Sequence, residues 1–206
     1  MVSTLLSLNV NSDLDIMNIF YYVTIFSIFL WLLVPLRQVR RKYFYFFLFV
    51  SLTDLFTLAL RILFRSPSNF FILPFFFLAL ISIQDIDFIK KNLLLFILLF
   101  IFILFYDIFI TINKYQILLL VCLQLLIILK IAKDFFVKFM QDNQFDIFVI
   151  VLFFFEILEI TKFLNLLIGF THAYIYFYIT TAFEILIGLF FCIFRSDDQR
   201  LVLQLK

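Results

Sequence analysis

The sequence predicts an all-α membrane protein, a bundle of seven transmembrane helices with the N-terminus outside and the C-terminus inside. Three observations lead to this prediction. Hydrophobic residues make up 66% of the 206 residues, where soluble domains are roughly half apolar, and the mean hydropathy is +1.19. The apolar residues form seven segments, and Lys and Arg concentrate in alternate connections between them. A soluble chain of this length has too little interior to bury so much apolar surface, so we expect the excess to face lipid.

Most of the seven segments reach the roughly 20 residues that a helix needs to cross about 30 Å of hydrocarbon. The third contains Pro74 and is short, so it could be tilted or only half inserted. The segments are predicted at residues 16–36, 43–64, 70–83, 93–112, 116–132, 145–168 and 173–194. The chain therefore divides into an external segment (1–15), a transmembrane domain (16–195) and an internal tail (196–206).

The distribution of Lys and Arg sets the orientation. Basic residues concentrate on the cytoplasmic side of membrane proteins. With the N-terminus outside, the external side holds only Arg65 and Lys114. The internal side holds twelve: Arg37, Arg40, Arg41, Lys42, Lys90, Lys91, Lys130, Lys133, Lys138, Arg195, Arg200 and Lys206. The bias alternates correctly through all seven segments, whereas six spans would put adjacent basic connections on opposite sides.

Charged residues inside the predicted spans are the most informative feature of the sequence. Each costs at least ~2.5–3.5 kcal/mol at the centre of a bilayer, so we expect these side chains to face the interior of the bundle. Asp54, Glu156 and Glu184 fall near the midplane. The full predicted cluster is Asp54, Arg61, Asp107, Gln124, Glu156, Glu159, Lys162 and Glu184.

The spacing of these residues leaves two readings open. Glu156, Glu159 and Lys162 step by three residues and form one polar stripe, in which Glu159 and Lys162 can pair. In the structural reading, the cluster hydrogen-bonds across helices and fixes their packing. In the functional reading, it forms a polar pocket or a proton or cation relay that opens to the outer face. The best candidates for this role are Asp54, Glu156 and Glu184, with Arg61 as the counter-charge.

Other kinds of site find little support in the sequence. His172 is the only histidine, so metal and haem sites are not expected, and two glycines cannot build a phosphate-binding loop. Cys122 and Cys192 are interpreted as small buried apolar residues. A lipid or isoprenoid enzyme could use Asp85-x-Asp87, a pattern common by chance. We therefore expect no enzyme activity, no cofactor, no metal and no nucleic-acid partner.

A basic run follows the first span and is interpreted as a signal for membrane orientation. Its side chains are also candidates for contacts with anionic lipid head groups. The run consists of Arg37, Arg40, Arg41 and Lys42.

The run from Phe20 to Leu30 with its following basic turn, and Ser51-Leu-Thr-Asp54 in the second span, resemble the small seven-helix sensory membrane modules of bacteria. The resemblance covers the whole chain, and most such proteins have no assigned function. It implies a non-enzymatic module that signals through a partner.

We therefore expect an accessory subunit or sensor-like module bound to a larger membrane complex. One alternative is a small transporter or proton- or cation-coupled carrier that uses the intramembrane acids. A second is a subunit of an organellar respiratory or ATP-synthase assembly, because 35 Phe residues indicate an AT-rich genome. The expected location is the bacterial inner membrane, with the mitochondrial inner membrane as the alternative.

Overall fold

The computed structural model describes residues 21–64, 72–109, 114–168 and 173–204, and these residues are predominantly helical. The all-α prediction is therefore confirmed for the described residues. The predicted external segment, Arg65, His172 and Lys206 lie outside them. The helices are α1 (Tyr21–Arg37), α2 (Phe44–Phe64), α3 (Ile72–Ser82), α4 (Ile86–Lys91), α5 (Leu93–Phe109), α6 (Lys114–Asp142), α7 (Ile147–Ile168) and α8 (Ala173–Ile193).

Helix α3 lies at the centre of the bundle. It packs against α2, α5 and α6, and its Phe76 ring contacts Phe163 of α7. Phe77 contacts Phe96 and Phe100 of α5. Because six of its 11 side chains are buried, α3 is held by packing against these helices although it is short.

An aromatic cluster joins α1, α2, α7 and α8. The Trp31 ring of α1 stacks on Phe155 of α7 with ring centroids 4.4 Å apart. Phe191 of α8 lies 4.8 Å from Phe47 and 5.0 Å from Phe148. All of these rings are buried, so one apolar core holds the four helices together.

A glycine of α8 lies in close contact with α1. A Cβ atom at Gly188 would lie 3.1 Å from a side-chain carbon of Leu30 and 3.3 Å from the indole nitrogen of Trp31. These contacts are closer than most Cβ contacts in proteins, so a larger residue would require Leu30 or Trp31 to shift by a few tenths of an ångström. Gly188 thus favours the close approach of α1 and α8 beside the aromatic cluster.

One end of the bundle, here called the polar end, is formed by residues 37–43, 83–92, 130–146 and 194–204. Fully buried Gln38 organises part of it. Its Nε2 donates to the carbonyls of Phe191 (3.1 Å) and Phe194 (2.8 Å), and its Oε1 accepts from the amide of Ser196 (3.1 Å). These bonds cap the C-terminus of α8, where helix carbonyls otherwise lack partners.

Ion pairs connect the segments of the polar end. Arg41 pairs with Asp197 at 2.6 Å. Asp134 of α6 accepts from Lys42 (2.7 Å) and Lys130 (2.8 Å). Lys130 also contacts Asp85, at 3.2 Å. The turns after α1 and α3, the C-terminal part of α6 and the tail therefore meet at one end of the bundle.

The tail folds back onto its own chain. After a 3-10 turn (Gln199–Leu201), β2 (Val202–Gln204) pairs antiparallel with β1 (Gln144–Asp146), with Phe145 opposite Leu203. Leu201 is buried in the core. The sequence did not predict this pairing, because strands of three residues carry too little alternation to be recognised.

Two boundaries differ from the sequence prediction. Helix α6 does not stop near residue 132; it continues through the polar stretch to Asp142 and ends before Asn143, whose φ of 50° is left-handed. Asparagine tolerates this conformation, which commonly ends helices. A short helix, α4, was also missed between the third and fourth apolar segments.

Within the described residues, two helices are long and apolar enough to cross a membrane, α6 and the Tyr176–Ile193 part of α8. Helix α7 has 22 residues but carries Glu156, Glu159 and Lys162. The shorter apolar stretches are Tyr21–Arg37, Phe44–Leu60, Ile72–Ser82 and Leu93–Tyr106.

The ion pairs of Asp134 predict a pH-dependent stability. Burial raises the pKa of Asp134, but hydrogen bonds from Lys130 and Lys42 outweigh burial and hold this pKa below its usual range. The interaction therefore stabilises the fold above about pH 4, the ordinary pKa of an aspartate, and is lost as pH falls through the lower folded-state value.

We expect Asp134→Asn to lower the free energy of unfolding by about 1–2 kcal/mol at pH 7, a range reduced by the solvent exposure of Lys42. Thermal unfolding of the purified protein at pH 7 and at pH 3 measures the effect. Asp142→Asn, on the exposed end of the same helix, is the control and should leave Tm unchanged. Equal losses in both variants, or an undiminished Asp134→Asn loss at pH 3, would contradict this account.

Candidate functional site

The charged residues of α7 and α8 meet inside the bundle. Lys162 lies one turn after Glu159 on α7, and its Nζ is 3.2 Å from Glu159 Oε1. The same Nζ forms an ion pair with Glu184 of α8. All three side chains are at most 15% exposed. One ammonium group is thus held between two carboxylates from neighbouring helices.

A cavity of about 60 Å³ lies beside this ion-pair triad. We call it the acidic cavity. Its polar walls come from α2, α7 and α8, and its aromatic walls from α1, α3 and α7. The polar lining residues are Thr53, Asp54, Glu159 and Glu184, and the aromatic ones are Trp31, Phe76, Phe155 and Phe163.

Asp54 lies at the mouth of the acidic cavity. Asp54 is exposed, whereas its neighbour Thr53 is buried, and the Thr53 hydroxyl donates a hydrogen bond to the carbonyl of Phe49. Within the described part of the chain, no side chain forms a hydrogen bond or ion pair with Asp54. Among the described side chains, three carboxylates therefore lie around the cavity, together with one ammonium group, that of Lys162.

Glu156 of α7 and Gln124 of α6 are polar residues buried away from the acidic cavity. Both residues are fully buried, and their side-chain oxygens find no hydrogen-bond partner among the described residues. A charged carboxylate without a partner in such a position is costly. Glu156 does not line the acidic cavity.

The predicted stripe on α7 is therefore split. Three residues advance a helix by about 300°, so each step of three turns the side chain some 60° away from the last. Glu159 and Lys162 reach Glu184, whereas Glu156 has no hydrogen-bond partner among the described residues. Residues four apart share a face more closely, and Phe155, Glu159 and Phe163 all line the cavity.

The cavity's aromatic walls were missed by the sequence reasoning. In a chain with 35 Phe residues, aromatic residues at helical spacing carry no distinguishing signal. The sequence feature that indicates these walls is the i, i+4 spacing of Phe155, Glu159 and Phe163, which places an aromatic residue one turn before and one turn after a charged residue.

Two members of the predicted cluster are not placed. Arg61 lies on α2 and Asp107 on α5, but their side chains lie outside what the structure describes. The role of Arg61 as counter-charge to the acidic cluster therefore stays a prediction.

The basic run after α1 is mostly engaged within the chain. Arg41 and Lys42 form the ion pairs already described, and Arg37 donates to the carbonyl of Ile193 at 3.2 Å. Arg40 is exposed and has a φ of 62°. Of the four candidates for lipid head-group contacts, Arg40 is the one without a side-chain hydrogen bond or ion pair to the described residues.

Both cysteines lie among the described residues. Cys122 is exposed and Cys192 is half-buried, and both are free thiols. The interpretation of Cys122 as a buried residue was therefore wrong, because it lies on an outward apolar face of α6. In the described ranges, no group of three His, Cys, Asp or Glu side chains has the geometry to hold a metal ion.

Comparison with known proteins gives no relative. The sequence matches no protein-family model, and no curated protein and no solved structure matches it significantly.

Proposed function

We propose that the protein is a seven-span membrane protein that acts as a non-enzymatic, sensor-like module, binding a small ligand in the acidic cavity and passing the signal to a partner membrane protein. The observation that carries this proposal is the apolar outer surface of the bundle. Leu94, Leu98 and Phe102 of α5 are 76%, 57% and 61% exposed. An apolar surface of this kind is stable in lipid and costly in water.

The lengths of the helices are compatible with this topology. The apolar part of α6 covers the hydrocarbon core, and its polar continuation to Asp142 extends to a total of about 43 Å, beyond a core of roughly 30 Å. Helix α3 is shorter, but the surrounding helices shield it from lipid. The polar end collects the Lys and Arg residues that the positive-inside rule places in the cytoplasm.

A sensor-like role is supported by the site itself. The acidic cavity lies between α1, α2, α3, α7 and α8, so an occupant would contact five of the helices at once. Any ligand that binds one packing of these helices better than another shifts the equilibrium between them. The composition favours a bacterial inner membrane, and a mitochondrial inner membrane is the alternative location.

The topology can be tested at the two ends of α6. Tyr115→Cys and Gln141→Cys, each in a Cys122→Ala, Cys192→Ala background, place single thiols on exposed positions. A membrane-impermeant maleimide should label the thiol at 115 in intact cells and the thiol at 141 only after lysis. Labelling at 141 in intact cells, with 115 protected, would reverse the orientation. Labelling of both in intact cells would remove the membrane-spanning assignment of α6.

A partner subunit is supported by the exposed face of α5. Among the described elements, α5 packs mainly against α3 and the short α4, and its exposed side chains that the structure describes are apolar. Another membrane protein could pack there without displacing a helix of this chain.

We expect the protein to co-purify with a larger membrane protein from its source cells in mild detergent, identified by mass spectrometry. Leu98→Trp on α5 should release that protein by obstructing the contact. Leu126→Trp on α6, which replaces a similarly exposed leucine (51% against 57%), is the matched control and should retain it. Recovery of the wild type only as a free monomer would count against an accessory role.

A second candidate is a proton- or cation-coupled carrier. It is favoured by Glu156, a buried carboxylate without a described partner, one turn along α7 from the acidic cavity. Intramembrane acids of this kind mark ion and proton pathways in transporters.

If the protein is such a carrier, we expect a pH-dependent flux of a cation across the membrane of proteoliposomes that contain the purified protein. Replacing Glu156 and Glu184 together with Gln should abolish this flux, because neither position could then gain or lose a proton. Asp142→Asn at the exposed end of α6 serves as the control. An unchanged flux in the double variant, or none in the wild type, would eliminate the carrier.

A further inference from the structure

We propose that the acidic cavity binds a small primary alkylammonium ion, through Asp54 and the aromatic walls. This inference rests on the proposed function, since it names the class of ligand for the same site. The argument uses the charge of the cavity, the chemistry of its walls and its size.

The site already holds one primary ammonium group. Lys162 Nζ sits between Glu159 and Glu184, so the two carboxylates are arranged around a donor of this type. Asp54 is the third carboxylate of the cavity and has no ion-pair partner among the described side chains. One further monovalent cation at Asp54 would reduce the excess of negative charge beside the triad.

The walls favour an organic cation over a metal ion. Trp31, Phe76, Phe155 and Phe163 line the cavity together with the acids, and aromatic faces attract ammonium groups through cation–π interactions. A metal ion needs several oxygen, nitrogen or sulfur ligands. In the ranges that the structure describes, no set of three such side chains is placed to bind one.

The volume limits the size of the ligand. A cavity of roughly 150 Å³ accepts benzene, so about 60 Å³ suits a group of a few non-hydrogen atoms, such as methylammonium or ethylammonium. A longer amine could enter only with its ammonium end, leaving its chain at the mouth beside Asp54. Tetramethylammonium lacks an N–H donor for the carboxylates.

Trp31 provides a direct readout. It is the single tryptophan of the chain and lines the cavity, so its fluorescence reports on the occupant. The full-length protein in lipid nanodiscs is titrated with ethylammonium chloride, and NaCl keeps the ionic strength constant. We expect a saturable change in Trp31 emission, with little or no change for tetramethylammonium.

Two variants locate the ligand. Asp54→Asn should weaken ethylammonium binding about tenfold or more, because a charge-assisted hydrogen bond is lost. Asp142→Asn, at the polar end, should leave it unchanged. Thermal unfolding establishes that each variant is folded. If Asp54→Asn fails to fold, Phe163→Leu takes its place, with an expected weakening of about two- to fivefold from the lost cation–π contact.

Three results would overturn the proposal. The first is the absence of a saturable change with ethylammonium in the wild type. The second is an equal response when NaCl or tetramethylammonium is titrated alone, which would indicate a general effect of cations. The third is an unaltered affinity in the folded Asp54→Asn or Phe163→Leu variant. The topology and co-purification experiments use neither Trp31 nor amines, so a failure of the ligand assignment is distinguishable from a failure of the proposed function.

Discussion

The ion-pair triad of Glu159, Lys162 and Glu184 is the interaction on which the interior of this bundle depends. Three charged groups are removed from solvent together, and each alone would be costly to bury. Because Lys162 must stay within reach of both carboxylates, α7 and α8 cannot slide along each other by a turn, about 5.4 Å, without breaking a pair. Buried ion pairs add little net stability compared with apolar packing, but breaking one by removing a single partner is costly. The triad therefore fixes register more than it adds stability.

The polar end shows how helices end in a chain that has few glycines. Two glycines in 206 residues leave the usual helix-ending residue scarce, so Arg40 and Asn143 adopt left-handed backbone conformations instead. Gln38 supplies the hydrogen bonds that the end of α8 needs, from a position 153 residues earlier in the chain. The tail can then turn and pair with β1. A side chain from a distant part of the sequence thus takes the place of a local cap at the end of α8.

The sequence predicted the helices well, because apolar segments of about 20 residues bounded by charges have few alternative structures. It placed the end of α6 too early, since the polar residues 133–142 were interpreted as a connection although nothing in them breaks a helix. It identified the residues of the triad but grouped Glu156 with them. A spacing of three drifts around a helix, and only the neighbouring helices decide which side chains meet. The strand pair and the acidic cavity depend on contacts between segments distant in sequence, which periodicity does not encode.

The polar interior is divided into a paired part and an unpaired part, and this division bears on whether it is structural or functional. Groups that serve only to hold helices together are expected to satisfy one another, as Glu159, Lys162 and Glu184 do. Asp54 at the mouth of the cavity and fully buried Glu156 of α7 have no such partners among the described residues, and a chain selected for packing alone would gain stability by replacing them with apolar side chains. A membrane environment makes that gain larger, because water is not at hand to compensate the unpaired groups. The paired triad is thus explained by structure, and the unpaired acids beside it are the residues to which we assign an exchangeable partner, a proton at Glu156 in the proposed carrier and a cation at Asp54 in the proposed ligand site.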